Sequence, residues 1–182
     1  MLVRKHNAES DLIAIKELQT QNLKETLSLE ERIAEGFVTC VYDIKMLEEM
    51  CGDWSHIVAW EESLLLGYAL CMQRDALPNF PILVPLHERL KSLEWKAKPI
   101  SALHSAVIGQ VCVAKGFRKQ GLLQAMYTAM REQLMSSFQL LITEIDADNI
   151  PSLRAHRSFG FEEIVRYKEQ NGRVWVIVGV DL

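Results

Sequence analysis

Apolar residues recur at helical spacing along much of the chain, most regularly in the segment 121–134. Its apolar side chains repeat at i, i+3, i+4, i+7 and i+11 on one helical face, as Leu123, Met126, Tyr127, Met130 and Leu134. The same periodicity predicts further helices over 9–23, 28–38, 43–54, 83–95 and 150–159. Ser10 or Asp11 is expected to cap the first of these helices. The next two form a second helical region, which is expected to be interrupted at Gly36.

Apolar or alternating runs predict strands between these helices. They cover 2–7, 55–63, 64–73, 103–113 and 140–146, followed by a hairpin over 162–182 with Asn171-Gly172 at its turn. The run 103–113 is apolar almost throughout, which favours a strand buried on both faces. Prolines punctuate residues 76–104, where we expect a helical insertion. Helices and strands in this order predict one mixed α/β domain over 1–182.

Composition and charge narrow the class of protein. With 182 residues, 49% of them hydrophobic, the chain is long enough for one domain with a sizeable core. A net charge of −4 does not provide the broad basic surface that nucleic acids require, and no apolar run approaches the roughly 20 residues of a membrane span. The four cysteines form no CxxC pair, so we expect free thiols in a reducing, cytoplasmic compartment. The stretch HERLK lacks the second histidine of a zinc motif, so no metal site is predicted.

Basic residues and glycines separate a predicted strand from a predicted helix in the segment VCVAKGFRKQGLLQAMY (111–127). Arg118 and Lys119 stand between Gly116 and Gly121, where the helix begins. Because the first N–H groups of a helix lack partners and attract negative charge, this arrangement predicts an anion site. From the residues alone, an ordinary solvated turn is the alternative. The Lys-Ser/Thr pair of a P-loop is missing.

The same segment resembles the acetyl-CoA-binding motif of the GNAT superfamily of N-acetyltransferases, an apolar strand followed by (R/Q)xxGx(G/A). Residues 118–123 correspond to this motif, except that the last of them is Leu where the family has Gly or Ala. A second segment, LLITEIDADNIPSLRAHRSFGF (140–161), resembles the family's next motif. Its matching residues are Glu144, Asn149, Gly160 and Phe161. His156 replaces the family's usual tyrosine, and the two motifs together cover residues 106–161.

The resemblance implies the GNAT acyl-CoA acyltransferase fold, an α/β fold with a mixed α+β sheet. In this fold two central parallel strands splay apart, and helices cover both faces. Acetyl-CoA is the implied co-substrate, with its arm paired to the strand and its pyrophosphate on the loop and helix start. The residues assigned to the cofactor on this basis are Val111, Cys112, Val113, Arg118, Lys119, Gln120, Gly121, Leu122, Leu123, Gln124 and Asn149. From its position alone, Asn149 is also suited to cap the following helix.

Glu144 and His156 are the catalytic candidates. A carboxylate between sheet and helices has a raised pKa, which suits Glu144 as the base, although a structural acid is the alternative. His156 stands where the family places a tyrosine near the CoA sulfur, and an imidazolium there would protonate the thiolate. A hydrogen-bonded, inward histidine is the alternative. A backbone N–H near Val113 is the oxyanion donor that the resemblance implies, while Gln110 and His104 are weaker candidates for holding the acceptor or a water.

Together these features predict an acetyl-CoA-dependent N-acetyltransferase that moves an acetyl group directly to a primary amine of a small molecule or peptide. Two alternatives stay open: a non-catalytic acyl-CoA-binding sensor or structural module of the same fold, and transfer of a longer acyl group. The insertion at about 76–104 is expected to wall the acceptor pocket, and a homodimer surface or a passive addition are its other readings. No nucleic-acid or membrane partner is expected.

Overall fold

The computed structural model describes every residue of the chain, 1–182. Its strands are β1 (Leu2–Lys5), β2 (Ile57–Glu61), β3 (Leu64–Gln73), β4 (Glu94–Trp95), β5 (Lys98–Pro99), β6 (Ser105–Val113), β7 (Leu140–Asp146), β8 (Glu162–Lys168) and β9 (Val174–Asp181). Its α-helices are α1 (Glu9–Gln21), α2 (Leu29–Glu35), α3 (Ile44–Cys51), α4 (Val84–Leu90), α5 (Leu122–Leu134) and α6 (Ile150–Ser158). Every predicted helix and strand is present. None of the helices combines the length and the apolar character needed to cross a membrane.

Seven strands form one mixed sheet in the order β1-β2-β3-β6-β7-β9-β8. All neighbours are antiparallel except β6 and β7, which run parallel at the centre. These two strands pair only where Ser105–Val107 faces Leu140–Ile142, and beyond that point they diverge. The backbone groups along the divergent stretch therefore need other partners. The predicted fold class, a mixed sheet with splayed central parallel strands and helices on both faces, is confirmed.

Two apolar layers hold the helices on the sheet. On one face, Leu12 and Leu47 of α1 and α3 are buried with Ile142 of β7. On the other face, α5 buries the stripe that its periodicity predicts: Met126, Tyr127, Met130 and Leu134. Burying a large apolar side chain stabilises a fold by roughly 1.5–3 kcal/mol, so these two layers supply the main driving force for the architecture. We call them the α1 face and the α5 face.

The insertion joins the core of the α1 face. Residues 74–83 form 3-10 turns, α4 follows, and β4 and β5 make a short hairpin before β6. The leucine face predicted for this segment packs on the core through Leu83, Leu86, Leu90 and Leu93. The helix ends at Leu90, before the predicted residue 95. The chain turns there and buries Trp95, whose Nε1 donates to Asp181 at 2.6 Å.

The start of α1 differs from the prediction. Neither Ser10 nor Asp11 caps the helix, whose N-cap is Ala8 without a side-chain cap. Asp11 is instead buried, and its carboxylate accepts two hydrogen bonds from Arg4 at 2.8 Å and one from the N–H of Asn7 at 2.9 Å. Burial raises the pKa of Asp11, but these donors outweigh it and hold the pKa below its ordinary value. The residue therefore joins β1 to α1 through a buried ion pair.

All four cysteines are free thiols, as predicted. Three of them are buried: Cys51, Cys71 and Cys112. Burial raises the pKa of Cys71 to about 12 and that of Cys112 to about 11. These thiols are therefore protonated at neutral pH and act as small apolar core residues.

His56 is buried between β2 and α3 as a neutral ring. Its Nε2 donates to the carbonyl of Leu47 at 2.8 Å, and its Nδ1 accepts from the N–H of Cys71 at 3.1 Å. Burial lowers the pKa of His56 to about 4. Both ring nitrogens are satisfied only while the ring carries a single proton.

His56 is expected to make the fold less stable in acid. Its pKa in the folded chain is about 4 and its ordinary value is 6.5, so between these values the unfolded chain binds a proton that the folded chain excludes. The stability is complete above pH 6.5 and falls toward pH 4, by up to roughly 3 kcal/mol for this residue. Urea titrations at several pH values should show that unfolding takes up about one proton fewer in His56→Asn than in wild type. An unchanged pH dependence would contradict this.

Candidate active site

Two adjoining cavities lie at the split in the sheet. A cavity of about 470 Å³ is bounded by the end of β6, the start of α5, α6 and residues 33–38, which comprise the last turn of α2 and the residues after it. A smaller cavity of about 60 Å³ occupies the gap between β6 and β7. The two share six lining residues: Phe37, Val38, Val111, Asn149, Ser152 and His156. A long ligand in the larger cavity can therefore reach the gap between the strands.

The start of α5 presents backbone donors to the larger cavity. Gly121 is its N-cap with φ 78°, a left-handed conformation that glycine adopts without strain, and no side chain caps the helix. A Cβ added at Gly121 would meet no atom within 4 Å, so the space before the helix is open. The loop and helix residues that line the cavity are Phe117, Arg118, Lys119, Gly121, Leu122, Leu123 and Gln124. Uncapped N–H groups beside open space form the geometry of a phosphate site.

Two of the residues assigned to the cofactor, Gln120 and Leu123, do not simply line the larger cavity. Gln120 does not line the cavity, because its Nε2 donates to the carbonyl of Gly116 at 3.0 Å and closes the loop on itself. Leu123 lines the cavity and also packs on the core of the α5 face, so part of its bulk is taken up there. The leucine side chain that replaces the family's Gly or Ala thus packs partly against the core and fills less of the cavity.

Arg118 is held by the protein itself. Its Nε donates to the carbonyl of Val113 at 2.8 Å, and its terminal nitrogens donate to the carbonyl and carboxylate of Glu35 at 2.8 and 3.0 Å and to Oδ1 of Asn22 at 2.6 Å. Arg118 lines the cavity, but its guanidinium is engaged by protein partners, and its assignment to the cofactor stays a prediction. The guanidinium ties the basic loop to α2 and to the end of α1. Lys119 is exposed and lines the cavity.

Arg118→Met is expected to destabilise the fold, whereas Lys119→Met is not. The buried Asn22 would lose its charged partner, and losing a hydrogen bond to a charged group costs about 1.5–3 kcal/mol. The free energy of unfolding from urea titration should fall by roughly 2–3 kcal/mol in Arg118→Met. In Lys119→Met it should change by less than about 0.5 kcal/mol. Equal stabilities of the two variants would show that the Arg118 contacts contribute little.

The edge of β6 faces the gap left by β7. The N–H of Ala114 donates to the carbonyl of Leu66 at 2.7 Å, on the β3 side. Because backbone groups alternate along a strand, Cys112 also bonds toward β3, whereas Val111 and Val113 present their N–H groups to the gap. β7 does not pair with this stretch. An extended ligand can therefore bind to the edge as an added strand.

Asn149 joins α6 to the segment that follows α2. Its Oδ1 accepts from the N–H of Ser152 at 3.3 Å, which confirms the predicted helix cap, and its Nδ2 donates to the carbonyl of Phe37 at 2.7 Å. Gly36 is required beside this contact, because a Cβ there would lie 2.7 Å from Oδ1 and its φ is 80°. The side chain of Asn149 thus fixes the wall that both cavities share.

His156 is buried where the two cavities meet, and its ring is neutral. Its Nδ1 lies 2.8 Å from the carbonyl of Ser152, so Nδ1 carries the proton. Nε2 then accepts from the hydroxyl of Tyr127 at 2.6 Å. Burial lowers the pKa of His156 to about 4, and its neighbours include the aromatic ring of Phe161. At neutral pH the free protein therefore holds the hydrogen-bonded, inward histidine that was the alternative, and the role of His156 as a proton donor stays a prediction.

Glu144 lines the smaller cavity from the α1 face. It shares its side of β7 with Ile142 and Asp146, as predicted. The hydroxyl of Tyr167 donates to its carboxylate. Burial raises the pKa of Glu144 more than this donor lowers it, so the pKa lies above its ordinary value, in the direction predicted. Glu144 and His156 approach from opposite faces of the sheet and line the same cavity because the strands part there.

Asp146 and Gln110, which also line the smaller cavity, have hydrogen-bond partners within the protein. Asp146 accepts from Lys24 Nζ and Arg173 Nε, each at 2.8 Å. Gln110, which the sequence requires to find a partner, accepts from the hydroxyl of Tyr68 at 2.6 Å and donates to a backbone carbonyl at 3.0 Å. The two carboxyl groups of this cavity therefore differ: the pKa of Glu144 is raised, and that of Asp146 is lowered.

The walls of the cavities differ in part from the sequence prediction. Residues 76–104 line neither cavity, so their expected role as a wall is wrong for both, and the segment 33–39 takes that place. His104 is exposed and lines neither cavity. Sequence reasoning missed Tyr127 and Tyr167, which hydrogen-bond the two catalytic candidates. The periodicity predicts an ordinary core residue at Tyr127 and an ordinary strand residue at Tyr167, so the sequence carries no signal for their role.

Comparison with known proteins assigns most of the chain to one family. The family model described as the acetyltransferase (GNAT) family matches residues 21–161. No curated protein matches the chain significantly.

Solved structures share the fold over nearly the whole chain. A polyamine N-acetyltransferase from Drosophila melanogaster has a TM-score of 0.70 at 11% identity, covering 100% of this chain and 99% of the other. The ribosomal-protein-S18-alanine N-acetyltransferase of Escherichia coli has a TM-score of 0.63 at 13% identity, covering 99% and 92%. A ribosomal-protein-alanine N-acetyltransferase from Brucella melitensis has a TM-score of 0.62 at 20% identity, covering 100% of both chains. At these identities the likeness shows the fold alone.

Proposed function

The chain belongs to the GNAT family of acetyltransferases, and on that premise we propose that it moves an acetyl group from acetyl-CoA directly to a primary amine of a small molecule or peptide. The observation that carries the proposal is the continuity of two cavities: one begins at the uncapped start of α5, and the other ends at Glu144. A cofactor held in the first would present its thioester beside a carboxyl group whose pKa is raised.

The residues around the larger cavity fit the cofactor. The N–H groups at the start of α5, with Lys119 nearby, would hold the diphosphate. The edge of β6 at Val111 and Val113 would pair with the pantetheine arm. Bound acetyl-CoA supplies the thioester carbonyl, and the N–H of Val113 is the proposed donor to the oxygen that becomes negative.

Glu144 is the proposed base. It would take a proton from the acceptor's ammonium group, directly or through a water, and leave an amine that attacks the carbonyl carbon. A C–N bond forms and the C–S bond breaks. The thiolate takes up the second proton that the amine nitrogen releases. Because both reactants are held together at the split in the sheet, positioning supplies much of the rate.

His156 is the proposed neighbour of the leaving sulfur. Its ring is neutral in the free protein, and a thiolate forming beside it would raise its pKa, since an opposite charge favours the imidazolium. Because both ring nitrogens are bonded within the protein, to Tyr127 and to the carbonyl of Ser152, the ring would pass a proton to the sulfur only after one of these hydrogen bonds breaks. In this proposal the histidine gains its charge only during the reaction, unlike a donor that is charged beforehand.

The volume of the smaller cavity favours a short acyl group. Its roughly 60 Å³ accommodates an acetyl group and the end of an amine, but not a long acyl chain in addition. Names of structural neighbours include a ribosomal-protein alanine and a polyamine as acceptors, so both peptide and small-molecule amines remain in the proposal.

A thiol-release assay tests the proposal. Acetyl-CoA is supplied with three amine classes: peptides with a free N-terminus, polyamines and amino-acid amides. Release of CoA with any of them, together with acetylated product by mass spectrometry, supports the enzyme. Calorimetric binding of acetyl-CoA without release in the whole panel favours the acyl-CoA sensor instead. Butyryl-CoA as donor separates acetyl transfer from longer acyl transfer.

A further inference from the structure

Arg89 and Tyr167 form a chain of contacts that ends on Glu144. We propose that both are positioning residues for this base, so that the insertion carrying Arg89 acts on the chemistry without lining the site. The inference rests on the proposed function of Glu144. It gives the insertion a task that neither the pocket-wall reading nor the passive reading includes.

Tyr167 makes the first contact. It lies opposite Trp175 in the pairing of β8 with β9, while Glu144 lies opposite Ile177 in the pairing of β7 with β9. The tyrosine therefore reaches diagonally across β9, and its hydroxyl donates to the Glu144 carboxylate. Such a bond holds the carboxylate in one rotamer. Its second oxygen remains available to accept a proton from another group.

Arg89 makes the second contact, from α4 of the insertion. The carbon at the centre of its guanidinium group lies 3.5 Å from the centroid of the Tyr167 ring. A guanidinium stacked on an aromatic face packs the ring against movement and brings a positive charge near the hydroxyl at its tip. The two side chains come from elements more than 70 residues apart in sequence, so only the fold brings them together.

The groups around Glu144 determine in which direction its pKa should change when Arg89 or Tyr167 is replaced. Burial raises its pKa most strongly, the Tyr167 hydroxyl lowers it, Glu169 raises it, and Arg89 and Arg173 lower it. Tyr42 faces it from the segment before α3, and its own pKa is raised well above the ordinary value, so it stays neutral. Asp146 on the same strand is paired with Lys24 and Arg173. Removing the Arg89 charge or the Tyr167 hydroxyl should therefore raise the pKa of Glu144.

Carbon-13 NMR of the free protein, labelled at glutamate carboxyl carbons, tests this without any acceptor. The Glu144→Gln variant identifies the Glu144 signal. Its titration midpoint should move to higher pH in Tyr167→Phe and in Arg89→Met, and return toward wild type in Arg89→Lys. Lys91→Met is the matched control: it removes an equal charge next to the same helix, where Lys91 pairs only with the exposed Glu88.

Activity provides the second measurement once an acceptor is known. The fall of kcat/KM at low pH should begin at higher pH in Tyr167→Phe and Arg89→Met, with kcat/KM at pH 7 roughly tenfold lower in Tyr167→Phe. Unmoved midpoints in both variants, or an equal loss at every pH, would overturn the positioning role. If the midpoints move but Glu144→Gln retains full activity, Glu144 is not the base. The contacts of Arg89 and Tyr167 with it would then be structural only, and their proposed role in catalysis would be overturned.

Discussion

Gly121→Asp is expected to weaken acetyl-CoA binding by at least about a hundredfold while the protein stays folded. An aspartate at this N-cap would place a negative charge in front of the N–H groups that are proposed to hold the diphosphate and would repel it from them. Losing two charge-assisted hydrogen bonds costs about 3–6 kcal/mol, which is the basis of the expected loss. The open space at Gly121 accommodates the side chain, and aspartate tolerates a left-handed φ at a cost of roughly 1–2 kcal/mol.

Gly116→Asp is the matched control. Gly116 has φ 90°, also has open space around its Cβ position, and lies in the same loop, but it does not line the cavity. Both variants therefore carry similar strain and the same added charge, and only one blocks the helix start. Isothermal titration calorimetry with acetyl-CoA should show near-wild-type affinity for Gly116→Asp. Equal affinities of the two variants would mean that the diphosphate binds elsewhere.

The position of the uncapped helix start, where the anion site is proposed, could be predicted because its cause is local. A glycine at the end of a basic loop and an apolar period that starts at the next residue are both visible in the sequence, and the helix start follows from them. The splay of β6 and β7 followed only from resemblance, since an apolar run reads the same whether or not its neighbour pairs along its full length. Glu144 was placed on the correct face by the alternation of β7.

The charge state of the site residues depended on contacts that no local pattern contains. Arg118 reads as a free cation, yet its partners Asn22 and Glu35 lie far earlier in the chain and occupy its guanidinium. His156 reads as a titrating residue near neutral pH, but burial and Tyr127 keep it neutral. In both cases the sequence shows which side chain is present, but only tertiary packing determines its partners and therefore what it can bind or donate.

The insertion shows the same division between local and long-range information. Its helix and leucine face followed from periodicity, but its place could not, because the chain returns over the α1 face and not over the mouth of the cavities. Only the packed structure brings Arg89 onto Tyr167. A segment without any lining residue can therefore still reach the proposed base through one side chain.

Glu144→Gln is expected to lower kcat by about a hundredfold or more and to leave the affinity for acetyl-CoA unchanged. Glutamine keeps the shape and can still accept from Tyr167, but it cannot take a proton from the acceptor. Burial raises the pKa of Glu144, so wild-type activity should rise as the pH increases through that raised value, where the carboxylate forms. The residual activity of the variant should lack this rise.

Glu163→Gln is the control for Glu144→Gln, since Glu163 is exposed on β8 and pairs only with Arg166. Steady-state kinetics across pH, with calorimetry for acetyl-CoA, should separate the two variants in kcat and not in binding. The Glu144→Gln protein should be at least as stable as wild type, because a buried carboxyl group with a raised pKa is replaced by a neutral amide. A kcat within twofold of wild type, with the pH dependence intact, would remove Glu144 as the base and leave water or the acceptor's own amine equilibrium to supply the neutral nucleophile.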